Sequence, residues 1–68
     1  MDEKKLKELI KRKGVKKKYI AEALGITPKG FCNKLNARTQ FYPSEITLMA
    51  KLLGMSGQEV LDIFFPTL

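Results

Sequence analysis

Histidine is absent, cysteine occurs once, at Cys32, and no run of eighteen consecutive apolar residues is found anywhere in the 68-residue chain. Each absence closes off a class of chemistry. A lone cysteine cannot form an internal disulfide, and one thiol with no imidazole does not make a zinc site. There is no glycine-rich phosphate loop, no pair of carboxylates spaced to enter a pocket, and too little chain to enclose a substrate. The expectation is a protein that is not an enzyme, with no metal, cofactor or small-molecule substrate. Residues 1–5 are charged and lead into no signal-peptide core, which points to the cytosol. A membrane partner is not expected, because Leu6, Leu9 and Ile10 form a narrow apolar face that the core itself needs. A single domain of this size buries only a little over half of its unfolded surface, so helix packing must carry a thin stability margin.

What is present is positive charge, unevenly placed. The net charge is +6, but residues 1–43 hold twelve Lys or Arg against four Asp or Glu, whereas residues 44–68 hold Lys51 against Glu45, Glu59 and Asp62. One part of the chain suits an anionic partner and the other does not. By itself such an excess is equally what a soluble surface carries.

Helical spacing runs almost throughout, and no strand-like alternation persists. A first helix over about Asp2 to Lys13 has Leu6, Leu9 and Ile10 on one face and stops at Gly14. A second, about Lys16 to Leu24, sets Ile20 beside Ala21 and Leu24 and stops at Gly25. A third takes Thr27 as N-cap and Pro28 as first helical residue, and runs to about Asn36 with Phe31 and Leu35 inward. Residues 37–42 show no period and read as a loop. Pro43 opens a fourth helix with Ile46, Met49, Ala50 and Leu53 on one side, ending at Gly54. Ser56 and Glu59 form a capping box for a fifth, carrying Val60, Leu61 and Phe64. The expectation is an all-α fold of five helices in one domain.

The second and third helices are separated by Gly25 and Ile26 alone, too short a link for antiparallel neighbours, so they should cross steeply as a helix-turn-helix. Ala21 allows close approach, and Gly25 supplies a left-handed turn. In these residues the chain resembles the phage Cro/C1-repressor family, also called the XRE family. The family run of glycine, an apolar residue, a polar stretch and Leu-Ala-x-x-Leu-Gly-Ile-Ser/Thr is echoed by residues 14–27. The order of the last two helices is echoed by residues 46–64. The resemblance implies a compact five-helix lambda-repressor-like domain with its helix-turn-helix in helices 2 and 3. It also implies sequence-specific binding of double-stranded DNA by a transcriptional regulator, a phage or prophage repressor working as a homodimer in a bacterial or phage-infected host cytosol. A protein-interaction or antitoxin-like module on the same fold, working through its fifth helix, is the alternative.

With Phe31 and Leu35 turned inward, Lys29, Asn33 and Asn36 fall on the outer edge of the third helix. Lysine can donate to guanine O6 or N7, and asparagine can pair with adenine N6 and N7, so Lys29 and Asn33 are expected to read bases. Outside a helix-turn-helix the same residues are an ordinary solvated surface. Asn36, at the helix end, is expected to cap or to touch a phosphate. Pro28 stands where relatives often carry a base-contacting glutamine; it has no donor, and its readout is limited to apolar contact such as a thymine methyl. Gly30 weakens the helix by about 1 kcal/mol relative to alanine, so either the helix needs clearance from the duplex there, the favoured reading, or the glycine is simply tolerated.

Lys16, Lys17 and Lys18 sit at the positive end of the second helix dipole, where cations are disfavoured, and no Ser, Thr, Asp or Asn caps the free amides there. A DNA phosphate would answer both problems, and relatives use a polar side chain at the Lys17 position for this contact. Thr27, at the head of the third helix, joins the expected phosphate contacts. In the family the loop after the reading helix lies along the strand, which implies phosphate contacts for Arg38, Gln40 and Lys34. Relatives often have an apolar residue at the Lys34 position and a polar one next; here that order is reversed, Lys34 then Leu35, which would turn the helix end slightly. Cys32 is expected to be a buried structural thiol. Tyr19, Phe41 and Tyr42 are expected in the core or its rim. The chain end is richer in apolar residues than one helix face can bury, so Ile63, Phe65 and Leu68 are candidate dimer contacts, with core closure as the competing role.

Overall fold

A computed structural model describes residues 1–67; Leu68, one of the candidate dimer contacts, lies outside the described residues. The chain forms α1 (Glu3–Lys13), α2 (Lys17–Leu24), α3 (Pro28–Leu35), α4 (Pro43–Leu53) and α5 (Gly57–Phe64), with no strand among the described residues. No helix among them is long and apolar enough to cross a membrane.

Helix ends follow local chemistry. The carboxylate of Asp2 accepts the Lys5 amide at 3.1 Å and starts α1, so Asp2 is its N-cap and not its first residue. Ser56 Oγ accepts the Glu59 amide at 3.1 Å while Glu59 Oε1 accepts the Ser56 amide at 3.0 Å, the expected reciprocal box. Gly25 has φ 72°, and there the amide of Ile26 returns to the carbonyl of Ala21 at 3.0 Å, turning the chain sharply out of α2. The same closure ends α3 on a different residue. Arg38 donates its amide to Asn33 O at 2.9 Å and Ala37 donates to Lys34 O at 3.1 Å, with Ala37 at φ 58°. A side chain in this left-handed conformation is strained where glycine would not be.

The core gathers one stripe from each helix: Leu6, Leu9 and Ile10; Ile20 and Ala21; Phe31 and Leu35; Met49 and Leu53; Ile63 and Phe64. Helix α2 packs on α3 and α4, and α1 packs on α3 and α5. The start of α1 is tied to the end of α5 by the Asp2 amide donating to Ile63 O at 2.7 Å. Its end is tied to the start of α5 by Arg12 Nη2 to Glu59 Oε2 at 3.1 Å. The two helices therefore run antiparallel. Burying a core stripe of this kind stabilises by roughly 1.5–3 kcal/mol per large side chain. The radius of gyration, 10.8 Å, matches the roughly 11 Å of a compact chain of this length.

Three expectations are corrected here. Ile63 is a core residue, packed between α5 and α1, and is not a surface available to a second subunit. Cys32 is exposed, because one residue past Phe31 turns about 100° around the helix, away from the inner stripe. Tyr19 and Tyr42 are exposed, whereas Phe41 is half-buried and packs edge-on between Phe31 and Phe64, with ring centroids 6.1 and 5.7 Å away. That aromatic row fastens the loop of residues 37–42 onto α3 and α5.

Candidate nucleic-acid interface

The start of α2 carries what its sequence suggested. Lys16 is the N-cap in extended conformation, with no side-chain cap bond and no acidic residue in the first turn. Each other helix has a capping side chain, an acidic residue in its first turn, or both. Lys16, Lys17 and Lys18 are exposed. Among the described residues no carboxylate lies within ion-pair distance of them, nor of Lys29 or Arg38. Three ammonium groups and the positive end of a helix dipole thus share one end of α2 without an internal anion.

Helix α3 presents the expected outer edge. Pro28 and Lys29 are exposed and Asn33 is half-buried, opposite the buried Phe31 and Leu35. Thr27 Oγ1 accepts the Gly30 amide at 3.0 Å, so its lone pair is used in capping while its hydroxyl proton remains free to donate. Gly30 has a reason inside the chain: a Cβ there would stand 3.1 Å from Thr27 Oγ1. Asn33, Gln40, Thr39 and Tyr42, together with Ile26, Gly30 and Lys34, line an open depression of about 470 Å³ between α3 and the loop. The structure thus brings together Asn33 and Gln40; Lys16, Lys17 and Lys18 stand apart from that depression, as do Lys29 and Arg38.

Lys34 is corrected. It is nearly buried, at 9 % exposure, and its ammonium points inward. Its Nζ donates to the carbonyl of Gln40 at 2.8 Å and lies 3.1 Å from Glu45 Oε1. Tyr42 covers it, with the ring centroid 4.8 Å from Nζ. An ammonium so engaged does not reach a phosphate, and the reversed order of Lys34 and Leu35 is accommodated by burying both. Asn36 is the C-cap of α3, and its Oδ1 accepts from Lys7 Nζ at 2.7 Å while its Nδ2 faces Cys32 Sγ at 3.4 Å. Its expected capping position is observed.

Glu45 and Lys7 were not singled out in the sequence. Glu45 is buried at 8 % exposure, and the same Oε1 that meets Lys34 accepts the Tyr42 amide at 2.8 Å. Its signal was its place four residues before Met49, on the inner stripe of α4. Lys7, half a chain away from Asn36, left no local signal. Phe65 and Leu61 are exposed, one turn apart at the end of the chain.

Two further open depressions hold no built chemistry. One of about 400 Å³ is lined by Met1, Phe41, Ile46, Phe64 and Phe65 together with Thr39 and Gln40, and one of about 270 Å³ lies between α1 and α5 around Arg12 and Glu59. No group of three His, Cys, Asp or Glu side chains that could hold a metal comes together among the described residues. Compared with known protein families, with characterised proteins and with solved structures, the chain finds no match.

Proposed function

We propose that the chain is a sequence-specific double-stranded DNA-binding transcriptional regulator, with α2 and α3 as a helix-turn-helix in a lambda-repressor-like arrangement. Helix α3 enters the major groove, where Lys29 and Asn33 read base edges and Pro28 makes apolar contact. Lys16, Lys17 and Lys18, with Thr27, Arg38 and Gln40, grip the phosphates on either side. The resemblance to Cro/C1 repressors supports this reading. The observation that carries it is the start of α2, where exposed lysines crowd an uncapped helix N-terminus that has no acidic residue in its first turn.

The working form is a homodimer on a palindromic operator, its half-sites about one helical turn apart. Exposed Leu61 on the last helix and exposed Phe65 just past its end support that pairing. The same pair favours the second reading, an antitoxin-like interaction module in which α5 is the working surface. Selection from random duplexes, followed by affinity measurement across salt, separates the two. A regulator enriches one palindromic sequence and, with about five or six phosphates neutralised per subunit, loses affinity steeply as salt rises. Failure to bind any duplex at very low ionic strength overturns the DNA reading.

A further inference from the structure

Helix α3 and the loop that follows it are joined by one buried ammonium. Lys34, on α3, donates to the main-chain carbonyl of Gln40 at 2.8 Å and meets Glu45 Oε1 at 3.1 Å. Glu45, in the first turn of α4, uses the same oxygen to accept the Tyr42 amide at 2.8 Å. Tyr42 closes over the ammonium from outside, its ring centroid 4.8 Å away. The near end of the loop is fixed separately, by the amides of Ala37 and Arg38 returning to the last turn of α3. Residues 38–40 are therefore held at both ends, and their far anchor is Lys34.

Stability alone does not account for this joint. A nearly buried ion pair is expensive to desolvate, and well-packed apolar residues of the same volume hold a core together at least as well. What apolar packing lacks is direction. An ammonium has three donors, and here one Nζ is held at once by the Gln40 carbonyl, the Glu45 carboxylate and the Tyr42 ring, partners that lie on the loop and on α4, so the loop is tied to α3 in a single register.

We propose that Lys34 and Glu45 are positioning residues for DNA recognition. Without touching DNA, they hold Arg38 and Gln40 in register with the reading edge of Lys29 and Asn33, so that strand and base contacts form together. This rests on the DNA-binding reading above. The register is a specificity device: base contacts discriminate only while phosphate contacts fix the helix in the groove. A loop free to shift would still meet phosphates, but would discriminate less between sequences.

The test is the variant Lys34→Met with Glu45→Gln. Lys34→Met alone would strand a charged Glu45 in the interior, whereas the double variant removes both charges, and the amide oxygen of the introduced glutamine still accepts the Tyr42 amide. Affinity is measured for the duplex that the wild-type protein selects and for a random-sequence duplex, across salt, beside thermal melting. The expected result is a folded protein whose preference for the selected duplex falls by about tenfold or more. Its slope of log affinity against log salt should fall by roughly one, as Arg38 leaves its phosphate. A folded double variant that keeps full discrimination overturns the proposal while leaving the DNA reading intact. If the double variant does not fold, Glu45→Gln alone, which removes one charge and keeps the acceptor, is measured in the same way, and unchanged discrimination again overturns it. A wild-type protein that selects no duplex overturns the DNA reading itself, and this proposal with it.

Discussion

The hydroxyl oxygen of Thr27 accepts the amide of Gly30 at 3.0 Å and stands 3.1 Å from the point a Cβ on residue 30 would occupy. The cap and the glycine are thus one feature, the cap hydroxyl filling the space that a side chain on the third helical residue would need. Thr27→Ala should lower stability by about 1 kcal/mol through loss of the cap. Gly30→Ala removes the glycine penalty of about 1 kcal/mol, but in the wild-type background the hydroxyl must yield by a few tenths of an ångström, so part of that gain is lost. In the Thr27→Ala background the full gain should appear. Thermal melting of the four proteins in a double-mutant cycle reads this coupling. Equal effects of Gly30→Ala in both backgrounds would show that the contact does not restrain residue 30.

Ala37 closes α3 with φ 58°, in the conformation that Gly14, Gly25 and Gly54 adopt at the ends of α1, α2 and α4. Its Cβ makes that conformation unfavourable by roughly 1–2 kcal/mol, and glycine would remove the strain while adding backbone freedom to the unfolded chain. Ala37→Gly should therefore stabilise by about 0.5–1 kcal/mol, read as a raised melting temperature or denaturant midpoint. A fall in stability would mean that the methyl group makes a contact worth more than the strain.

How much of this was legible in advance depends on how local the cause is. The C-terminal ends of α1, α2 and α4 and the start of α5 could be placed from one or two residues, because a left-handed glycine or a Ser56 and Glu59 box acts on its own turn. The spacing of Val60, Ile63 and Phe64 could likewise have put Ile63 inside, since they share one face and leave Leu61 and Phe65 outside. Lys34 was misread because lysine is rarely buried, although Phe31 and Leu35 flank it on the same stripe. Its partner Glu45 lies across an aperiodic loop, and nothing in the spacing says which two stripes will meet. The same holds for Phe41, whose partners Phe31 and Phe64 come from different helices. Of the candidate interface, the lysine-headed start of α2 was visible because capping is local, whereas the depression joining Asn33 to Gln40 arises only when the loop folds back on α3.

Glu59 gives stability a defined pH dependence. The Ser56 amide that it accepts is the largest influence and holds its carboxyl below the ordinary glutamate range; desolvation comes next and opposes it, and the charges of Lys13 and Arg12 with the Ser56 hydroxyl add to the lowering. A carboxyl whose folded-state value is depressed stabilises above its unfolded value, and that contribution disappears as pH falls through the folded one. Melting temperature should therefore drop as acidification passes below the usual glutamate range. In Glu59→Gln this part of the drop should be missing, with the two proteins differing at neutral pH and converging in acid. The effect should be small, because Arg12 is largely exposed where it meets Glu59. Parallel melting curves that never converge would assign the stabilisation to packing and not to charge.

Asn33 should carry base discrimination and Lys29 should share it. Asn33→Ala is expected to reduce affinity for the selected duplex by about 1–3 kcal/mol and to relax preference at one base pair, with little change in the salt slope. Lys17→Ala should instead weaken selected and random duplexes alike and reduce the slope by roughly one. Competition binding against single-position variants of the duplex distinguishes the two patterns. If Asn33→Ala weakens all sequences equally, the asparagine touches the strand and not a base.

The start of α2 should show stability and binding in opposition. Lys16 occupies an N-cap position without a capping bond, and Lys17 and Lys18 follow it on a helix whose first turn has no acidic residue. Lys16→Ser would supply an acceptor for the free amides and remove one cation from the positive end of the dipole. The two effects add: the cap contributes about 1 kcal/mol and relief of the dipole a further 0.3–1 kcal/mol. For a domain of this size the gain corresponds to a melting temperature higher by roughly 4–8 °C per kcal/mol. On the DNA-binding reading the same substitution removes a proposed phosphate contact, so affinity for duplex DNA should fall and the salt slope should decrease by about one. A single change that makes the protein more stable and a poorer DNA binder is what an anion site looks like when its helix is left uncapped for the ligand. Were Lys16→Ser to stabilise the fold with no loss of affinity, Lys16 would be a solvated residue and the strand would have to be gripped by Lys17 and Lys18 alone.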